Sequence, residues 1–341
     1  MRFPVSYVWS NPYVNSAAEN YRKHLRDVYG KCILTEHDMR RFLAGMQERP
    51  DILLLWGFVT ERSALTGLCR EHGFDSATWE DGFFPHYGTI HVDPLGFCWE
   101  SSLTRMVFRR CSPQQREVAR EARAKWLEKP VKPLPAEVRK PFAFWPLQLI
   151  GDKVNDWDLR LTDWTGLIRH FRSRLPADFQ LVLKDHPLSA PKDVAGLDKL
   201  LEELPNTIRV PKDTSLPALL SECDAVGGAN SSVLYEARLM HHKPTYTYAR
   251  SWFTNHDELF IPVSREFSAY LPRRDWLEKP STMRTTRLDD YTDWFLAQLL
   301  ARQIGGKTIT ENPDLFRAHL GRLSYQSYVE TGEAIFEPWG I

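Results

Sequence analysis

Between residues 179 and 248, short apolar runs alternate with segments of helical period, and this alternation limits the fold more than any other feature. Phe179 to Lys184 reads as a strand, Leu197 to Leu204 as a helix, Thr207 to Val210 as a strand and Leu216 to Cys223 as a helix. Ala225 to Gly228 (strand), Ser231 to Met240 (helix) and Thr245 to Tyr248 (strand) continue the series. Strands too short and too apolar for one-sided burial, each separated by a helix, describe a parallel sheet covered on both faces. The first third repeats the pattern, with expected strands at Phe3 to Trp9, Ile52 to Trp56 and Ala77 to Trp79. Expected helices run from Ser16 to Tyr29, closed by Gly30, and from Glu61 to His72, stopping at Gly73. The expectation is therefore an α/β chain of two Rossmann-like domains facing a cleft.

The remaining punctuation sets the boundaries. Ile90 to Trp99, broken by Asp93-Pro94-Leu95-Gly96, reads as an inserted hairpin. A helix begins at Ser112-Pro113, with Ser as cap and Pro at the first helical position. Pro130, Pro133, Pro135 and Pro141 make a stiff connector before a strand at Phe142 to Leu149. Helices near 291–303 and 313–328 close the chain. The expected division is 1–160 for the N-terminal domain, 161–284 for the C-terminal domain, and 285–341 for helices packing back on the first.

Composition excludes several classes. The 341 residues carry 44 Lys+Arg against 44 Asp+Glu, so there is no global pull toward nucleic acid. The longest apolar runs, such as Ile52 to Val59, are far shorter than a membrane span, and Asn, Pro and Ser interrupt the N-terminus too early for a secretory signal. The five cysteines are scattered without CxxC spacing, which argues against a disulfide framework or Cys-rich zinc site and for a reducing, cytoplasmic setting. One local excess stands out: 11 Lys/Arg against four Asp/Glu from Arg105 to Lys140, either a solvated helix face or a surface for an anionic glycan or bilayer.

Ligands of open α/β sheets bind beyond the carboxyl ends of the strands, and four places there carry reactive side chains. Glu80-Asp81-Gly82 ends a strand with two carboxylates, suited to a general base or to an ordinary Asp-Gly turn. Gln148 and Asp152 follow the strand at Phe142, where Asp152 is a reactive carboxylate or a turn residue. Lys184-Asp185-His186-Pro187 ends the run Leu181-Val182-Leu183 and places Lys184 and His186 where a phosphate could be met. Gly227-Gly228-Ala229-Asn230-Ser231-Ser232 opens the helix carrying Glu236. Its small residues suit close approach by a ligand, its helix N-terminus suits an anion, and Asn230, Ser231 and Ser232 are equally good capping residues.

The order EDGFF, PLQ with an Asp four residues after the Gln, KxHP, and NSS with a Glu four residues after the second Ser resembles one family. The set, spread from about Ile52 to Tyr248, is similar to the bacterial capsule-polysaccharide and O-antigen retaining β-Kdo transferases. The resemblance implies a GT-B-like fold with an acceptor-side N-terminal domain and a C-terminal domain for the CMP-sugar. It implies transfer of Kdo from CMP-β-Kdo to a glycan or glycolipid acceptor with retention of configuration. Asp152 would be the nucleophile, Glu80 the carboxylate assisting the acceptor hydroxyl, and His186 the residue at the donor phosphate. Asp81, Gln148, Lys184, Asn230, Ser231, Ser232 and Glu236 would bind substrate. No metal or other cofactor is expected. Expected partners are the CMP-sugar donor and a glycan or lipid-linked acceptor, not nucleic acid, with peripheral contact at the inner membrane or with other polysaccharide assembly proteins. Two departures stand out: Phe84 and Pro85 follow EDGF where the family often has Arg, and Asp185 replaces the first Pro of KPHP. A transferase for another CMP- or nucleotide-sugar, and a non-catalytic glycan- or nucleotide-binding module of a capsule assembly complex, are the competing readings.

Overall fold

The computed structural model describes residues 53–56, 76–86, 88–93, 95–96, 101–150, 164–263 and 285–305, together with Tyr7–Val8, Cys32–Ile33 and the single positions 71, 73, 98, 312 and 315. In chain order the strands are β1 (Tyr7–Val8), β2 (Cys32–Ile33), β3 (Leu53–Trp56), β4 (Ser76–Asp81), β5 (Thr89–Asp93), β6 (Phe142–Pro146) and β7 (Gln180–Lys184). They continue with β8 (Thr207–Val210), β9 (Ala225–Gly228), β10 (Thr245–Thr247), β11 (Ile261–Pro262) and β12 (Gln303–Gly305). The described helices are α1 (Pro113–Leu127), α2 (Thr165–Arg174), α3 (Leu197–Glu203), α4 (Leu216–Glu222), α5 (Ser232–His241) and α6 (Thr285–Arg302). The chain forms two compact units, Met1–Val107 with Ala297–Ile341, and Phe108–Leu296.

In the first unit, β1 pairs with β2 in parallel, and a four-stranded sheet runs β12-β5-β4-β3. β3 and β4 are parallel, whereas β5 is antiparallel to both β4 and β12. The hairpin is thus formed by β4 and β5, not by Ile90 to Trp99. Gly82 explains its tightness: its N–H donates to the Thr89 carbonyl (2.8 Å), and a Cβ there would fall 1.9 Å from Thr89 Oγ1. Asp93 ends β5 as a buried anchor, accepting from the hydroxyls of Ser101 (2.5 Å) and Ser102 (2.8 Å) and pairing with fully buried Arg302.

The second unit is built on six parallel strands in the order β11-β10-β9-β6-β7-β8. Counted along the chain from β6, this is the 3-2-1-4-5-6 order of the dinucleotide-binding fold. β6, β7 and β9 are buried at every position, as strands covered on both faces must be. The strand at Phe142 is therefore the centre of the second sheet, so the 1–160 division gives way to a boundary at 107/108. At the other end, the division falls inside α6, whose described start at Thr285 precedes the expected 291.

Helix starts follow local chemistry. Ser112 caps α1 through a reciprocal pair with Gln115 (3.1 and 2.8 Å), with Pro113 at the first position. α2, unmarked in the sequence reading, buries Leu167, Ile168 and Phe171 on one stripe but starts at Trp164 without a side-chain cap. The expected helices at 16–29, 61–72 and 313–328 lie outside the described residues or nearly so.

Candidate active site

Parallel pairing in register brings three of the four motifs to one edge of the second sheet. Pro146 lies opposite Lys184, and Phe144 opposite Val226, so the chain leaving β6, β7 and β9 emerges at one level. Strand order reverses between β6 and β9, where open α/β sheets bind their ligands. Gln148 and Asn230 meet across this point. Gln148 Nε2 donates to Asn230 Oδ1 (3.0 Å), and the Asn230 N–H donates to Gln148 Oε1 (3.3 Å). Both side chains are buried, and Trp164 Nε1 donates to the Gln148 carbonyl (2.9 Å). The expectation that Gln148 sits on an N-terminal domain is corrected accordingly, because it shares a sheet edge with Asn230 and His186. Asp152 lies outside the described residues.

The two glycines of the Gly227-Gly228 motif have a reason to be small besides the expected one. A Cβ on Gly227 would sit 2.6 Å from two ring atoms of Phe171 beneath the sheet, and one on Gly228 would sit 3.1 Å from Leu234. Internal packing by itself is enough to call for a glycine at 227 and favours one at 228. Ser231 is the N-cap of α5, its Oγ accepting from the Val233 N–H (3.3 Å). Ser232, the first residue of the helix, is half-buried at the positive end of the dipole.

At the tip of β7, Lys184 is buried and its Nζ donates to the Asp185 carbonyl (3.4 Å). Desolvation lowers its pKa, opposed by Asp185 and Asp213. His186 is half-buried, and its Nδ1 accepts from the Leu188 N–H (3.1 Å), which leaves the ring proton on Nε2 in the neutral form. Burial and then Lys184 push its pKa down, while Asp193 pulls it up. Asp185 is not a loose substitute for proline: Arg209 on β8 grips both its oxygens (2.8 and 2.5 Å) and stiffens the strand tip.

Glu236 projects from α5 toward α1, where Trp126 Nε1 donates to its Oε1 (3.1 Å) and the Lys129 ammonium lies 3.1 Å above the Trp126 ring. Burial raises the carboxyl's pKa, and Trp126 and Lys129 offset part of that rise. The basic stretch thus contributes to the surroundings of Glu236. Its Arg116 and Arg123 pair instead with Asp290 and Asp293 of α6 (2.6 and 2.8 Å).

In the first unit, Glu80 and Asp81 are the last residues of β4 rather than a loop beyond it. Glu80 is buried, opposite His91 in the hairpin register, and its Oε1 accepts from the Asp81 N–H (3.2 Å). His91 Nδ1 donates to the Asp81 carbonyl (2.9 Å), and burial holds its pKa down at about 4. The following Phe83 and Phe84 are clamped by Gln303, whose Oε1 accepts from both N–H groups (2.9 Å each) while its Nε2 donates to the Phe84 carbonyl (2.6 Å). Sequence reasoning missed Gln303, Trp126, Arg209 and Asp193. Only tertiary pairing joins them to the motifs, and no local pattern marks them. Among the described residues, no group of three or more His, Cys, Asp or Glu is arranged to hold a metal, and no helix is long and apolar enough to cross a membrane.

Residues 110–256 match the family described as "Capsule polysaccharide biosynthesis protein". No curated protein matches the chain. Among solved structures, Thermosulfurimonas dismutans KpsC, beta Kdo 2,7 transferase, superposes with a TM-score of 0.56 at 16% identity, covering 92% of this chain and 100% of its own. The beta Kdo 2,4 transferase of the same KpsC gives 0.53 at 15% identity, with 86% and 90% covered. Residues 110–256, which hold Gln148, His186 and Asn230 to Glu236, are therefore similar to the capsule polysaccharide biosynthesis family, and the chain has a GT-B-type α/β fold like that of the two KpsC structures.

Proposed function

We propose that the protein is a retaining glycosyltransferase that moves Kdo from CMP-β-Kdo to a glycan or glycolipid acceptor. The observation that carries this reading is the convergence of Gln148, Lys184, His186, Asn230 and the α5 N-terminus on one sheet edge, at the point of strand-order reversal. A neutral His186 with its proton on Nε2, the Lys184 ammonium and the N-terminal dipole of α5 supply three donors to a departing phosphate without needing a metal. Glu236, oriented by Trp126, is the carboxylate we assign to the ribose hydroxyls, with Ser231 and Ser232 at the helix start beside the phosphate.

The chemistry follows from the donor. The anomeric carbon of Kdo bears a carboxylate, and its ring neighbour bears no hydroxyl, so participation from that position is ruled out. Retention then takes two inversions. In the first, an Asp152 carboxylate oxygen bonds to the anomeric carbon while the bond to the CMP phosphate oxygen breaks, its electron pair leaving with CMP. In the second, the acceptor oxygen displaces the Asp152 ester as Glu80 takes the hydroxyl proton. Asp81 and Gln148 orient the substrates. We assign the work to the inner face of the bacterial membrane, where lipid-linked acceptors are met.

The test is mass spectrometry on the Glu80→Gln variant mixed with CMP-Kdo, in which the second step is slowed. The expected result is a Kdo adduct on the Asp152 peptide that is absent in Asp152→Ala. An inverted product, or full activity in Asp152→Ala, would refute the mechanism. CMP should raise the melting temperature more than UMP or GDP, and equal stabilisation by all three would refute the donor assignment.

A further inference from the structure

Asp193 lies in a single turn of 3₁₀ helix, Pro191–Val194, seven residues beyond His186 and outside every motif recognised in the sequence. It is nonetheless buried, only 3% exposed. A carboxylate so placed must be satisfied by donors, and two backbone N–H groups from separate parts of the chain supply them. Asp193 Oδ1 accepts from the Ile150 N–H (2.6 Å), on the chain leaving β6. Its Oδ2 accepts from the Ala190 N–H (2.7 Å), on the chain leaving β7.

Each of these segments carries part of the candidate site. The first runs from Gln148 toward Asp152, and Ile150 is the last described residue before it. The second carries Lys184 and His186, with the Ser189 N–H donating to the His186 carbonyl (2.9 Å) and the Leu188 N–H to its ring. The strands are already joined where the Leu147 N–H donates to the Lys184 carbonyl (2.9 Å), but beyond that point the ladder ends. Asp193 takes over as the link.

We propose that Asp193 is a positioning residue: by holding Ile150 and Ala190 on its two carboxylate oxygens, it makes the β6 and β7 exit segments move as one body. The inference rests on the transferase reading above for the chemistry the segments perform, though not for their coupling. Asp193 acts through the segments it ties, and no contact with substrate is assigned to it. Its charge also acts on His186, opposing the downward push of burial and Lys184.

The experiment is hydrogen–deuterium exchange on the full chain, comparing wild type with Asp193→Ala and Asp193→Asn. Asp193→Asn keeps the shape of the side chain, so the comparison survives if Asp193→Ala does not fold. It presents one oxygen and one N–H₂ group, so at least one segment must lose its acceptor. Exchange at 147–150 and 186–190 should rise at least tenfold in Asp193→Ala, and in at least one of them in Asp193→Asn. Exchange in β8 and α4 should stay unchanged. Unaltered exchange in both segments, or a uniform rise across the second unit, would overturn the proposal. With CMP-Kdo as donor, Asp193→Asn should lower kcat at least tenfold while KM for CMP-Kdo moves less than threefold. A matching loss in KM alone would also overturn it. Should wild type show no turnover with CMP-Kdo, the transferase reading fails, while the exchange comparison still decides the coupling.

Discussion

Replacing Gly227 with Ala separates two explanations of the glycine pair at the end of β9. Built onto the backbone, the new Cβ lies 2.6 Å from two Phe171 ring atoms and 2.9 Å from a third. Carbon contacts normally settle at about 3.5–4.0 Å, so something must move by roughly an ångström. The ring has nowhere to go. Phe171 is fully buried, with Trp145, Tyr246 and Tyr248 at ring-centroid distances of 5.3, 6.0 and 6.4 Å. Overpacking of this kind costs about 1–3 kcal/mol. Ala returns about 0.4–1 kcal/mol by restricting the unfolded chain. The expected net loss is therefore about 1–2 kcal/mol, read as a lower urea midpoint at unchanged slope. Combining Gly227→Ala with Phe171→Leu supplies the control, since a smaller side chain should absorb the methyl and yield a favourable coupling of about 1 kcal/mol. If Gly227→Ala is as stable as wild type but loses its response to CMP, the glycine serves the ligand and the packing argument is wrong.

Two further expectations test the surroundings of the site. His91 is held neutral in the folded chain at a pKa of about 4, against an ordinary value of 6.5, so between those limits the unfolded chain binds more protons and stability rises with pH. Urea unfolding at pH 5 should accordingly show about 2 kcal/mol less stability than at pH 7.5 from this group, and His91→Asn should flatten that difference; equal slopes would refute the assignment. Trp126→Phe deletes the hydrogen bond to Glu236 while keeping an aromatic ring beneath Lys129, so calorimetry should find CMP affinity about fivefold weaker, the worth of roughly 1 kcal/mol. Unchanged affinity would remove Glu236 from the nucleotide pocket.

Much of the second unit was legible because its strands are short, apolar and separated by well-marked helices. Thr207–Val210 and Ala225–Gly228 fall where the pattern put them, and Ser112-Pro113 begins α1 as its capping residues require. Less was legible where local signals were weak. α2 has no capping side chain, and β11 and β12 are only two and three residues long. Asp93-Pro94-Leu95-Gly96 carries real turn chemistry, with Asp93 Oδ1 accepting from the Leu95 and Gly96 N–H groups (2.9 and 3.2 Å), but the same carboxylate anchors Ser101, Ser102 and Arg302, and β5 finds its hairpin partner in β4.

Residue identity and order along the chain were enough to determine that this protein is an α/β chain, that Glu80, Lys184 and Gly228 stand at or near strand ends, and which family's motifs it resembles. Each of those properties is local, since a strand end, a helix cap and a motif are all written within a few consecutive residues. Tertiary structure alone decided the partnerships. It put Phe142–Pro146 at the centre of the second sheet, so that Gln148 faces Asn230, 82 residues away. It gave Asp185 to Arg209, Glu236 to Trp126 and Asp193 to Ile150, and it set Gly227 against the Phe171 ring. The physical reason is that strand order and side-chain contact depend on how whole layers bury one another, and burial is a property of the assembled sheet, not of any one segment.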